Sequence, residues 1–415
     1  MSGAAPAIDW RPEDPATLAD PFPLFARLRD EDPCHWSPRL RSWVLTRYDD
    51  VKRVLLDRER FSSDRLQPFF ASLRGDEAAR IADIVRYLSL WLVFKDPPAH
   101  TRLRRLAGRV FTTPAMQAMR PTVRSISDML LDRIDGSGRG RFDLVADYAG
   151  PLPCLVIMAM LGVPQGAMAD LKRWSDDMAL FIGSARTSAE KYDTAQAATH
   201  AMAGFFRALI AERRARPPGE CQDALSALVH LRDGDDAFSD DELVATCIMM
   251  LFAGHETTTN HIANGMLALM RWPGELARLR ADPTLAAAAV EELLRYDGPS
   301  GAQVRLVAQP LTLHGKALQP GQRVFLMLNA ANRDPRAYAD PDRLDLLRDG
   351  VPHLTFGFGA HICLGFPLAR TEGAVAFPAL LARYATIEPA DRHPAWINSL
   401  VFRGLKALPV DVRRA

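Results

Sequence analysis
The segment from Ser239 to about Arg271 constrains the fold of this chain more than any other stretch of its sequence. Ser239-Asp240-Asp241-Glu242 has the Ser-x-x-Glu spacing of a capping box, which satisfies backbone N–H groups left free in a first helical turn. A mostly apolar run follows, and Pro273 closes it. One helix of roughly 30 residues would extend about 45 Å at 1.5 Å per residue, enough to cross the whole molecule. In its middle, Ala253-Gly254-His255-Glu256-Thr257-Thr258 combines a glycine with a threonine run, both poor in a helix interior, so the sequence predicts a helix opened locally there.

The rest of the chain is organised around that helix. Helical spacing runs from Pro98 to about Leu294, broken by turn-forming stretches such as Arg216-Pro217-Pro218-Gly219 and Asp233-Gly234-Asp235-Asp236. Short β-forming runs lie on either side: Ser42-Trp43-Val44-Leu45-Thr46, followed by a helical Tyr48–Leu56, and later Gln303–Val307, Leu311–Leu313 and Arg323–Leu328. Helical character returns after Gly365. The expected class is mainly α with minor β gathered near both ends. No Gly/Ser-rich linker, low-complexity run or internal repeat divides the 415 residues, so a single domain over 1–415 is expected, with a core able to bury a cofactor.

Charge and composition remove several classes of function. A net charge of +1 gives no global attraction to nucleic acid. The strongest apolar run, near Ile248–Ala253, is far shorter than the roughly 18 consecutive residues of a membrane span. Met1 to Pro15 is polar and acidic where an export signal needs a basic start and an apolar stretch. The chain is therefore expected in the cytoplasm, with neither membrane nor nucleic acid as partner. Cys34, Cys154, Cys221, Cys247 and Cys363 are odd in number and far apart, against a disulfide framework or a zinc cluster. Four of them read as inert thiols.

The fifth has unusual neighbours. Phe356-Gly357-Phe358-Gly359-Ala360-His361-Ile362-Cys363-Leu364-Gly365 leads into the helical pattern Pro367-Leu368-Ala369-Arg370. Glycines let the backbone turn tightly and run close to a flat ligand, and a thiolate at a helix N-terminus is stabilised by unpaired N–H groups and the helix dipole. Such a thiolate can ligate iron. A Gly-rich turn holding an ordinary buried cysteine accounts for glycines beside one Cys, but not for Phe, Gly, His, Cys and Gly together at these offsets. The run resembles the cysteine-loop signature of the cytochrome P450 family. That resemblance implies a triangular, mainly helical body with small sheets, and haem b held between the long central helix and the helix after the cysteine loop.

The resemblance covers nearly the whole chain and implies roles for individual residues. Cys363 becomes the ligand of the haem iron, with Phe356 and Gly365 in its loop. His100 and Arg104, four residues apart on one helix face, match with Arg305 and His361 the positions that hold the two haem propionates. Ala253 and Gly254 would let the central helix approach the haem, and Glu256 and Thr257 would manage protons on the oxygen side. Without the cysteine loop, Thr257 would read as a threonine bonded back to the carbonyl one turn earlier. His255 has no family role and is expected to be packed or at the surface rather than a metal ligand. Glu292 and Arg295 look like the family's buried Glu-x-x-Arg pair, with Arg343 as its third, structural member. Substrate contacts are expected from Tyr87–Val93, Met250–Thr257, Gly301, Ala302, Gln303 and Val304, and from Val401 and Phe402. Gln303, the polar exception, either orients a substrate carbonyl or hydroxyl or satisfies a strand end.

The implied activity is monooxygenation: one atom of dioxygen enters a small-to-medium apolar substrate, with two electrons from NAD(P)H. The sequence holds no Gly-x-Gly-x-x-Gly dinucleotide motif and no iron–sulfur cysteine cluster, so a separate ferredoxin or flavodoxin and its reductase are the expected partners of a monomeric enzyme. Arg102, Arg105 and Arg109 are the expected docking patch for an acidic partner. The alternatives are a peroxide-driven haem-thiolate peroxygenase and a non-catalytic haem sensor or carrier, and the Glu256-Thr257 pair weighs against both.

Overall fold
The computed structural model describes residues 8, 10–182 and 189–415. At its centre is the helix Asp240–Arg271, 32 residues long. The N–H of Glu242 donates to Ser239 Oγ at 3.3 Å and that of Ser239 to the Glu242 carboxylate at 2.8 Å, which completes the capping box. Beyond the cap the helix is buried on successive residues, Leu243 to Phe252 and again Asn260 to Leu269, so along these two runs no face of it is left to solvent. The helix is not opened at Ala253–Thr258, contrary to the expectation from propensity; its backbone is helical throughout. Thr257 Oγ1 donates instead to the Ala253 carbonyl at 3.0 Å and Thr259 Oγ1 to that of His255 at 2.9 Å. Back-bonding satisfies the hydroxyls without breaking the ladder, and packing on all sides outweighs penalties of about 1 kcal/mol for glycine and less for threonine.

Among the helices that pack on this one are Pro151–Met160, Ala189–Arg214, Ala286–Asp297 and Phe366–Arg383. Two of its glycines set how closely they approach. A Cβ on Gly265 would lie 2.7 Å from Phe377 Cζ, and one on Gly254 3.1 Å from Ile157. Gly254 thus serves the packing of two helices, and Ala253 is the residue left exposed beside it.

Helices take up 56% of the residues, and the sheets are small. The largest has the order Cys34–Ser37, Ser42–Leu45, Arg323–Met327, Ala302–Val307, Phe61–Ser62, so both ends of the chain build it. Arg141–Asp143 joins Pro409–Arg414 and Tyr384–Pro389 in a second. These last strands escape the reading of the sequence, because three to six residues carry too little alternation to stand out.

The segment leading to the cysteine loop is held by a buried clamp. Arg295 donates to both oxygens of Glu292, at 2.7 and 2.8 Å, and through Nη1 to the carbonyls of Asn332 and Pro341 at 2.9 and 2.8 Å. The third guanidinium is not that of Arg343, which is exposed and contributes only its carbonyl, but that of Arg348, whose Nε donates to Glu292 at 3.1 Å. Leu344 and Leu346 point inward, which turns Arg343 out. Thr355 carries the clamp onward: its hydroxyl donates to the Leu294 carbonyl at 2.7 Å and accepts from Asn332 at 2.8 Å.

Candidate active site
The cysteine loop begins where that clamp ends. Gly357 and Gly359 adopt φ of +72° and +74°, and a Cβ on Gly357 would also lie 2.7 Å from Gln303 Nε2, so other residues would be strained there twice over. The N–H of Cys363 donates to the Phe356 carbonyl at 2.8 Å and closes the loop. The thiol is open on its cavity side and enclosed by protein on the others. Burial pushes it above the ordinary thiol range, while the N–H groups of Gly365 and Phe366 and the charges of Arg104 and Arg370 pull it back towards the thiolate. For the other buried thiols no backbone N–H opposes burial, which pushes Cys34 and Cys247 up to about 12 and Cys154 to about 11 although Lys316 and Lys172 lie near the first and last of these.

A cavity of about 330 Å³ lies between this loop and the central helix. Ala253, Gly254 and Thr257 line one wall, and Cys363, Leu364 and Gly365 another. Ala302, Gln303, Val304, Val401 and Phe402 line it as expected, as do Trp91, Leu92 and Val93. Gly301 does not reach it; its N–H bonds the Val401 carbonyl at 2.9 Å, and a Cβ would strike the Leu400 carbonyl oxygen at 2.8 Å. Tyr87 does not reach it either, being buried with its hydroxyl bonded to Arg207. Gln303 Oε1 accepts from Arg305 at 3.2 Å, which makes it a positioning partner of that arginine. Glu256 is off the wall as well, its side chain 26% exposed and its carboxylate on the side of His255.

Positive charge collects at one end. The rings of His100 and His361 are 3.9 Å apart. His361 Nε2 meets Ser63 Oγ at 3.1 Å, but neither ring nitrogen of the buried His100 has a partner among the described residues. Burial, reinforced by neighbouring arginines, holds His100 down at about 4 and His361 at about 3. Burial likewise lowers Arg305 to about 10 and with it Arg65, a neighbour the sequence does not single out. Arg104 donates to the Ile362 carbonyl at 2.5 Å. The nearby Asp96 is taken up by Ser62 and Ser63. Orphaned imidazole nitrogens and guanidiniums in excess of carboxylates suit a dianion such as the two propionates of a haem, and a thiol on the wall suits its iron.

Three further residues on the cavity lining form a polar group that sequence reasoning missed. Glu372, Thr258 and His261 are all at least 97% buried. Burial raises Glu372 to about 8, opposed by its hydrogen bond with Thr258, and lowers His261 to about 3. The one signal in the sequence is a lone acid inside the apolar helix Phe366–Arg383. The expected docking patch is also altered. Arg102 pairs with Asp236 and Glu242, Arg105 with Asp233 and Asp236, and Arg109 with Asp233, so the turn at Asp233–Asp236 neutralises the free basic face anticipated from the arginines alone.

Residues 34–404 match the family model described as Cytochrome P450. The chain belongs to the cytochrome P450 family. It is similar to the cytochrome P450 monooxygenase PikC of Streptomyces venezuelae, with 38% identity over 423 aligned positions covering 100% of this chain and 96% of that protein. It is also similar to a vitamin D(3) 25-hydroxylase of Pseudonocardia autotrophica, at 38% identity with 95% and 94% covered. Among solved structures, that of CalO2 superposes with a TM-score of 0.88 at 32% identity, covering 98% of this chain and 99% of that one. As a P450 related to monooxygenases and hydroxylases, the chain is a haem-thiolate monooxygenase.

Proposed function
We propose that Cys363 Sγ is the haem iron's ligand in this P450, that His100, Arg104, Arg305 and His361, joined by Arg65, hold the propionates, and that one atom of dioxygen is inserted into a small-to-medium apolar substrate. Two electrons come from NAD(P)H through a separate ferredoxin or flavodoxin and its reductase. The observation that carries this reading is one cavity with Cys363 on one wall, its sulfur met by N–H groups of a helix N-terminus, and Thr257 on another. When bound, the haem iron supplies the binding and reductive activation of dioxygen.

The chain's own residues supply the rest. Arg104, Arg370 and the N–H groups of Gly365 and Phe366 favour the thiolate of Cys363. Thr257 gives its only hydroxyl proton to Ala253, so towards the cavity it offers lone pairs. It therefore accepts from a water or other O–H group and holds that donor in place for proton transfer. Glu256, partly exposed one residue before it, takes protons from solvent and passes them inward through water. Leu92, Phe252, Val401 and Phe402 form an apolar wall that keeps bulk water from the substrate. Residues 1–415 act as one monomeric domain in the cytoplasm; among the described residues no helix is long and apolar enough to cross a membrane.

Turnover of a candidate substrate with NAD(P)H and surrogate ferredoxin partners, set beside turnover with peroxide alone, tests the reading. Product that depends on the partners is expected. Equal product from peroxide alone would replace it with a peroxygenase.

A further inference from the structure
His255 and Glu256 follow one another on the central helix, and Asp176 reaches them from the helix Met168–Ile182. One potential ligating atom of each lies within 4.8 Å of those of the other two. His255 is 2% exposed. Its Nδ1 lies 3.1 Å from the Leu251 carbonyl oxygen, which can only accept, so Nδ1 carries a proton and Nε2 is the nitrogen left to ligate. That Nε2 has no hydrogen-bond partner among the described residues, and the Glu256 carboxylate faces it at 3.7 Å. A buried nitrogen without a partner, turned towards carboxylates, is satisfied by a cation held between them. An imidazole whose other N–H is anchored on a backbone carbonyl is also oriented as metal-ligating histidines are.

We propose that Asp176, His255 and Glu256 form a zinc site that bridges the two helices, with one nitrogen ligand, two carboxylate ligands and water in the fourth position. The imidazole favours zinc over magnesium or calcium, which prefer oxygen ligands throughout. Ligands about 2.0–2.2 Å from a tetrahedral ion lie about 3.4 Å apart, so the site closes by rotation of the two more exposed carboxylates while His255 stays in place. Asp176 is held by Lys172 at 2.6 Å, but both side chains are about half exposed, and such a pair contributes little against a divalent ion. The inference extends the assignment of Glu256 to proton supply: a carboxylate on zinc is withheld from Thr257, so zinc slows turnover without touching Cys363.

The test is equilibrium dialysis of the haem-loaded protein against zinc chloride, with anomalous diffraction at the zinc edge from soaked crystals. One zinc per chain is expected, with its peak between the three side chains. Asp176→Asn, at an exposed position, should fold, keep its turnover in zinc-free buffer and lose at least tenfold in zinc affinity and most of the zinc inhibition. His255→Asn should lose the same affinity. No binding, a peak elsewhere, or undiminished affinity in both variants would overturn the site. Zinc bound at the peak with turnover unchanged would keep the site and remove Glu256 from proton supply, so the two readings fail separately.

Discussion

The hydroxyl of Thr257 donates to the carbonyl of Ala253, 3.0 Å away on the preceding turn of the central helix, and so presents only lone pairs to the cavity. Thr257→Ala removes that acceptor and leaves Cys363 and the apolar wall in place. Haem and substrate binding should survive, with product per NAD(P)H falling tenfold or more, about 1.4 kcal/mol in the balance of productive and wasteful branches, and hydrogen peroxide rising. Thr257→Ser keeps the acceptor and should stay coupled. Product and peroxide counted per NAD(P)H decide it: normal coupling in the alanine variant would leave the hydroxyl with a merely helix-stabilising part.

Cys363→His should abolish the long-wavelength Soret band of the reduced, carbon monoxide-bound protein that marks thiolate ligation. Single replacements of Cys34, Cys154, Cys221 and Cys247 should retain it. A retained band in the histidine variant would move the ligand elsewhere.

Arg348 and Arg343 should differ sharply. Arg348→Ala strips a charged donor from the buried Glu292 and should cost about 1–3 kcal/mol in urea unfolding. Arg343→Ala keeps the carbonyl that the clamp uses and should fall within about 0.5 kcal/mol of the parent.

Thr258→Ala removes the bond to the buried Glu372 and should lower stability by about 1–3 kcal/mol while leaving coupling near normal. Paired with Thr257→Ala, it separates a structural threonine from a proton-handling one on adjacent positions of the helix. Equal uncoupling in both would dissolve the distinction.

Burial holds His261 at about 3 in the folded chain against 6.5 ordinarily. As pH falls below 6.5 the unfolded state takes up a proton that the folded state refuses, so this residue's share of stability is lost on acidification, about 2 kcal/mol between pH 8 and pH 5. His261→Leu should flatten the loss by that amount in urea titrations at the two pH values. An unchanged difference would mean that His261 takes up its proton in the folded protein much as it does in the unfolded chain.

Local order determined what the sequence alone could tell. The capping box at Ser239, the stop at Pro273, the helix Tyr48–Leu56 and the strand Leu311–Leu313 lie in the structure where their spacing puts them, because caps and periodicity act within one or two turns. The cysteine loop was legible for the same reason, since its glycines, His361 and Cys363 are contiguous. Tertiary structure decided which way side chains face. Alternation of Leu344 and Leu346 into the core turned Arg343 out and left Arg348 to Glu292. Packing set Gly254 against Ile157 as well as on the cavity wall, and a turn far along the chain neutralised Arg102, Arg105 and Arg109. Arg65 beside Arg305, Glu372 beneath Thr258 and Asp176 opposite His255 are neighbours only in space, and no local preference encodes a contact whose partner lies tens to hundreds of residues away.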